Sequence, residues 1–168
     1  MAVQEEETTI KRMGILLIAM LWLILCTSGC QPVTGPTVEE AETVLRTFLM
    51  DLHDGRYDEA ALRYAPDDDP LVFMNPDIDA SETAALLTRG CMQNGFMCML
   101  PGEVVSVEEG PGQVFTFTMQ FLLDDGTRFE QGPCCGEESD DPPITDFQLR
   151  VVCEGNTCRV MDLPPYVP

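Results

Sequence analysis

The hydrophobic period of this chain changes once, near residue 102, from a helical repeat to a two-residue alternation, and that single change limits the folds open to it. Before it, Val38, Ala41, Val44, Leu45, Phe48, Leu49 and Leu52 recur at spacings of three and four, which predicts a helix with one apolar face. Thr37 opens that helix as an N-cap, and Glu40 completes a capping box. Glu39, Glu40 and Glu42 sit in the first turns, where the helix dipole favours acids, and Gly55 stops the helix. A second helix is predicted from near Asp58 through Ala60, Ala61 and Leu62 to Tyr64, ending before Pro66. Asp67 to Pro70 reads as a loop, and the apolar run Leu71 to Met74 is too short to assign. Asp79 and Glu82 form a second capping-box pattern, from which Ala84, Ala85, Leu86 and Leu87 lead a third helix to Gly90.

After the change, Glu103 to Glu108 alternates, and Gly110-Pro111-Gly112 turns the chain. Gln113 to Leu123 is the strongest strand signal, with Phe115, Phe117, Met119 and Phe121 on one face and Val114, Thr116, Thr118 and Gln120 on the other. Asp124-Asp125-Gly126 reads as a hairpin turn into a strand over Thr127 to Gln131. Gly132 to Pro143 is loop, and Asp146 to Cys153 with Cys158 to Leu163 form a last hairpin around Glu154 to Thr157. Helices first and antiparallel strands last is an α+β layout. No internal repeat and no domain boundary follows residue 37.

The N-terminus is organised differently. Lys11 and Arg12 precede a 13-residue apolar run, Gly14 to Cys26, and then Thr27-Ser28-Gly29-Cys30 brings small residues up to a cysteine. The run falls short of the ~20 residues a spanning helix needs. The segment resembles a bacterial lipoprotein signal, in which a small residue precedes the cysteine that is lipidated and becomes the new N-terminus. Ser28, Gly29 and Cys30 match; Thr27 departs, since Leu is usual there, and Cys26 is a poor rival behind bulky Leu25. The resemblance implies a signal peptide over residues 1–29, lipidation at Cys30 and a proline-stiffened tether over 30–36. It places the domain of residues 37–168 on the extracytoplasmic side of a membrane held by lipid chains, an anchoring of more than two signals. An uncleaved anchor helix and an ordinary cleavage after Gly29 are the alternatives.

Charge narrows the partners. The chain carries 29 acids against 9 bases, a formal charge of −20. Without residues 1–29, 26 acids, seven arginines and no lysine remain. Phosphate binding needs clustered cations, so nucleic acid is excluded, and anionic headgroups repel everything but the N-terminus.

Beyond Cys26 and Cys30 there are six cysteines: Cys91, Cys98, Cys134, Cys135, Cys153 and Cys158. An even number in an exported domain suggests disulfides, and the spacings suit neither zinc nor a CxxC redox site. Cys153 and Cys158 flank four residues containing Gly155 and Asn156, so a hairpin sets them opposite each other within disulfide reach. For the other four, Cys91–Cys98 leaves Cys134 and Cys135 as a vicinal or reduced pair. In the alternative, Cys134 and Cys135 each bond one of Cys91 and Cys98.

The stretch TVEEAETVLRTFLMDLHDGRYDEAALRYAP, residues 37–66, resembles the opening of the nuclear-transport-factor-two-like, or cystatin-like, superfamily: a helix, a Gly-aromatic break, and a second helix. The terminal strand-turn-strand ending in Val-x-x-Leu is also similar. The resemblance implies helices packed in the concave face of a curved antiparallel sheet, a cone. Its enzymes place an acid or histidine base and a tyrosine hydroxyl inside that cone.

Each candidate has a plainer reading. His53 is the sole histidine, and its place at a helix C-terminus beside carboxylates accounts for it without chemistry. Tyr57 and Tyr64 pack against the first helix, or offer hydroxyls to a ligand. Phe115, Phe117, Met119 and Phe121 form the sheet face under the helices, or line an apolar cavity at the cone mouth. Thr116, Thr118 and Gln120 face solvent or a second protomer in a homodimer. Arg56, Arg63 and Arg89 offset nearby acids. Asp67, Asp68, Asp69, Asp77 and Asp79 read as turns and caps, since no calcium-loop pattern holds them, and Glu137, Glu138, Asp140 and Asp141 read as a solvated loop. No metal or cofactor is expected. The functional expectation is a lipid-anchored, non-catalytic binding or accessory domain whose partner is a small apolar ligand or an envelope protein. An isomerase- or dehydratase-like enzyme and a structural envelope component are the rival classes.

Overall fold

The computed structural model describes residues 35–132 and 142–167, which belong to the compact unit Gly35–Pro168. Four helices precede four strands: α1 Val38–His53, α2 Tyr57–Ala61, α3 Pro70–Met74, α4 Thr83–Met92, then β1 Leu100–Gly110, β2 Val114–Leu122, β3 Phe147–Glu154 and β4 Thr157–Val160. The strands form one antiparallel sheet in the order β1-β2-β3-β4. The fold is therefore α+β. Residues 1–29, read above as a signal peptide, and Cys30, Cys134 and Cys135 lie outside the described residues, and among those described no helix is long and apolar enough to cross a membrane.

The capping box forms as its spacing predicts. Glu40 N–H donates to Thr37 Oγ1 at 3.2 Å, and Thr37 N–H donates to Glu40 Oε2 at 2.8 Å. Ala41, Leu45, Phe48, Leu49 and Leu52 are buried, so α1 presents the expected face to the sheet. Its end is a Schellman turn: Arg56 N–H bonds Asp51 O at 2.7 Å and Gly55 N–H bonds Leu52 O at 3.2 Å. Gly55 has φ +74°, a left-handed conformation that glycine takes without a Cβ clash.

β2 alternates without exception. Phe115, Phe117, Met119 and Phe121 are at most 2% exposed, while Val114, Thr116, Thr118 and Gln120 are partly exposed. Leu149, Val151, Cys153, Cys158 and Val160 continue the inner face across β3 and β4, and α1 lies over it. At a coefficient of about 25 cal/mol per Å², each aromatic or aliphatic side chain so buried contributes roughly 1.5–3 kcal/mol before its ordering entropy is charged.

Several expected elements differ. α2 is shorter than predicted because the chain leaves the helix at Leu62 to run beside β4: Val160 N–H bonds Arg63 O at 2.7 Å and Ala65 N–H bonds Val160 O at 2.9 Å. The unassigned run 71–74 is helical, started by Asp69, whose Oδ1 accepts from Leu71 N–H at 2.9 Å, with Pro70 at the first position. The second capping box does not form. Asp79 Oδ1 instead accepts from Ser81 N–H and Oγ, and Glu82 caps α4 without a side-chain bond. Gly90 does not end α4, which runs on to Met92. Gly90 is a packing position: a Cβ there would come within 2.8 Å of Leu71 Cδ2.

Residues 127–131 form no strand of their own. β1 occupies one edge of β2 at Phe121 and Leu122, and β3 begins only opposite Met119, so the vacant end of the other edge takes just Thr127, Arg128 and Phe129. The last hairpin is tighter than expected, with a two-residue Gly155-Asn156 turn and Glu154 paired to Thr157. Its register leaves Cys153 opposite Cys158, as the spacing requires.

Candidate functional site

A cleft of about 640 Å³ opens where the end of α1 meets the segment after α4 and the β2 corner. Four chain segments build it. α1 contributes Leu52 and His53, and the Schellman turn then brings Tyr57 at the start of α2 to the same wall. The loop after α4 contributes Phe96, Met97 and Met99, and the turn after β2 contributes Leu123, Asp124 and Asp125.

Three restraints hold the loop after α4. The Cys91–Cys98 disulfide closes it, with Cα atoms 5.5 Å apart. The C-terminal segment pairs with it: Met97 N–H bonds Pro165 O at 2.8 Å, and Val167 N–H bonds Gly95 O at 3.0 Å. Phe96 also packs on Tyr166, with ring centroids 5.3 Å apart. Gly95 has φ +88°, and a Cβ there would lie 2.4 Å from Val167 O, so no other residue fits this crossing.

His53 is held by the loop after α4. Its Nδ1 lies 3.2 Å from Cys98 O. A carbonyl oxygen only accepts, so Nδ1 carries a proton, and in the ring's neutral form Nε2 is the acceptor. No described acid pairs with the ring. Asp125 Oδ1 accepts from Thr127 N–H at 2.9 Å and Thr127 Oγ1 at 2.6 Å, and the bond from the Thr127 hydroxyl, with that from its amide, holds the carboxyl below the ordinary range. Asp125 is thus ionised near neutral pH.

The expected site residues divide among different places. Tyr57 joins His53 in the cleft. Tyr64 lines another cleft, of about 370 Å³, with Arg150, Asp67 and Asp162. Its ring stacks on Phe48 at 5.6 Å, and its hydroxyl lies 3.4 Å from Asp69 Oδ1; burial foremost, then Asp69, pushes that hydroxyl strongly up. In that second cleft Arg150 grips Asp162 through two nitrogens at 2.9 and 2.7 Å and reaches Asp67 at 3.8 Å, while Asp68 also lines it. Phe115, Phe117, Met119 and Phe121 pack in the core and line none of the described clefts. Arg56 and Arg63 bind Asp51, and Arg89 binds Asp77.

Asp124, Asp125 and the Phe96–Met99 loop were not visible as site residues in the sequence. The acids read as a hairpin turn, and the loop carried no periodicity. The CxxxxxxC spacing was the one available sign that residues 91–98 are held in a fixed shape. The cysteines settle the pairing left open above: Cys91 bonds Cys98 and Cys153 bonds Cys158, so the arrangement in which Cys134 and Cys135 bond Cys91 and Cys98 is excluded. No group of three or more His, Cys, Asp or Glu among the described residues is placed to hold a metal ion. Compared with family models, curated proteins and solved structures, the chain matches none.

Proposed function

We propose that this chain is an extracytoplasmic lipoprotein, cleaved before Cys30 and anchored by lipid on that residue, whose domain is a non-catalytic binding module. The small residues Ser28 and Gly29 before Cys30, after an apolar run too short to span a bilayer comfortably, support the anchor. The domain is read as nuclear-transport-factor-two-like, with its sheet curved into a cone, on the helix, Gly-aromatic break and closing hairpin.

The observation that carries the binding reading is the composition of the 640 Å³ cleft. Its walls are restrained and partly apolar, and His53, oriented by a backbone carbonyl, makes no ion pair with Asp124 or Asp125, the carboxylates that share its lining. General acid–base work calls for a second titratable group in reach of the first. Fixing Nδ1 does leave Nε2 as an acceptor facing no described partner, and that geometry favours an enzyme as the second reading.

Two measurements test the proposal. The Cys30→Ser variant, expressed in a bacterium, should lose its acyl mass and leave the membrane; continued tight membrane association would favour the uncleaved helix. His53→Ala should keep its fold and any ligand affinity within tenfold, about 1.4 kcal/mol, and a larger loss of turnover with the fold intact would establish the enzyme.

A further inference from the structure

We infer that the cleft selects a small organic cation, a protonated amine carried on an apolar body. The inference rests on the reading of this cleft as a binding site, and it names the ligand class. The accessible apolar surface of the cleft is Met97, Tyr57 and Leu123, set over the buried Leu52, Phe96 and Met99, and together these three accept a ring or short alkyl chain. Methionine fits here because its flexible thioether adapts to an aromatic or irregular surface.

Apart from the Tyr57 hydroxyl, which donates or accepts, the polar groups around that surface share one property. Asp124 and Asp125 are carboxylates, which only accept hydrogen bonds when ionised. The neutral form of His53, with its Nδ1 proton committed to Cys98 O, also offers an acceptor at Nε2. No described Lys or Arg lines the cleft. Arg56, the nearest cation along the chain, is turned to Asp51 and Asp54. A ligand with several N–H donors and a positive charge satisfies such a rim, whereas a carboxylate would face only like charge. The whole chain acts in the same direction, because a formal charge of −20 raises the local concentration of cations at its surface.

The test uses the purified full chain in zwitterionic detergent, labelled at the methionine methyl groups, with the Met97 and Met99 signals as the readout. Three probes of one shape are titrated: 2-phenylethylamine, 2-phenylethanol and 3-phenylpropionate. The amine should shift both signals at a concentration at least about fivefold below the alcohol, and the carboxylate should leave them unmoved. Asp124→Asn, which breaks no described hydrogen bond, should weaken the amine about two- to fivefold, the scale of an exposed charge pair, without weakening the alcohol. Equal binding of amine and alcohol, or preference for the carboxylate, would overturn the cation inference while leaving the cleft a binding site. No shift with any of the three would overturn both.

Discussion

Asp51 and Arg63 stand twelve residues apart in the chain, yet Arg63 Nη1 donates to Asp51 Oδ2 at 2.9 Å and ties the end of α1 to the segment beside β4. Asp51 is 3% exposed and sits in the last turn of α1, where the dipole disfavours an acid. Its other oxygen takes Arg56, so both are satisfied by guanidinium groups. Asp51→Ala should therefore lower stability by about 2–3 kcal/mol, below the usual cost of breaking a buried pair because the arginines it abandons are partly solvated. Asp51→Asn, which keeps an acceptor, should lose less. Urea unfolding at pH 7 measures both, and a loss under about 0.5 kcal/mol for the alanine would show that the ion cluster adds nothing.

Among the described residues the Thr37 side chain is hydrogen-bonded only within the capping box with Glu40. Thr37→Ala should cost about 1 kcal/mol, and Thr37→Ser should cost a few tenths at most, because serine caps as well. Equal losses for the two variants would mean that the threonine methyl group, not its oxygen, is what α1 uses.

The parts of this fold that could be read in advance are those where period and burial coincide. The face of α1 and the inner stripe of β2 each repeat through the element, and each is buried where the repeat places it. Asp51 broke that pattern, since a lone acid on an apolar face needs partners that only the return of the chain at Arg63 supplies. Gly90 and Asp79 misled for a local reason: a stop signal and a cap signal were both consumed by other contacts, Leu71 and Ser81. The cleft was least legible. His53 and Tyr57 are four residues apart, but Met97, Asp124 and Asp125 reach them through a disulfide loop and a sheet corner, and neither leaves a periodic trace.

Cys153 and Cys158 face each other with Cα atoms 4.0 Å apart. Cys153 N–H turns away to Gln113 O on the β2 side, so this is a non-hydrogen-bonded pair, the closer of the two kinds in an antiparallel ladder. A non-reducing peptide map should recover Cys153 linked only to Cys158 and Cys91 linked only to Cys98. Replacing both hairpin cysteines with alanine should cost about 2 kcal/mol, the chain-entropy value for so short a loop. A Cys91 peptide joined to Cys134 or Cys135 would contradict the loop geometry on which the cleft depends.

Acid should act on Asp69 and Asp77 in opposite directions. Burial first of all raises the Asp69 carboxyl above its ordinary 3.8, with the Leu71 amide and the Tyr64 hydroxyl opposing the rise. The folded state therefore holds a proton there that the unfolded state has released, and this residue's contribution to stability falls as pH climbs from 3.8 through the raised value. Hydrogen bonding from Arg89 lowers the Asp77 carboxyl, so its contribution is complete above 3.8 and is lost as pH falls through the lowered value. Asp69→Asn keeps the oxygen that caps α3, since asparagine is as good an N-cap, and removes the titration. Its stability relative to wild type should rise between pH 3 and pH 7. Asp77→Asn should do the reverse, losing ground to wild type over the same interval. Denaturant midpoints at both pH values for the two variants decide it, and parallel slopes would show that neither carboxylate is coupled to folding.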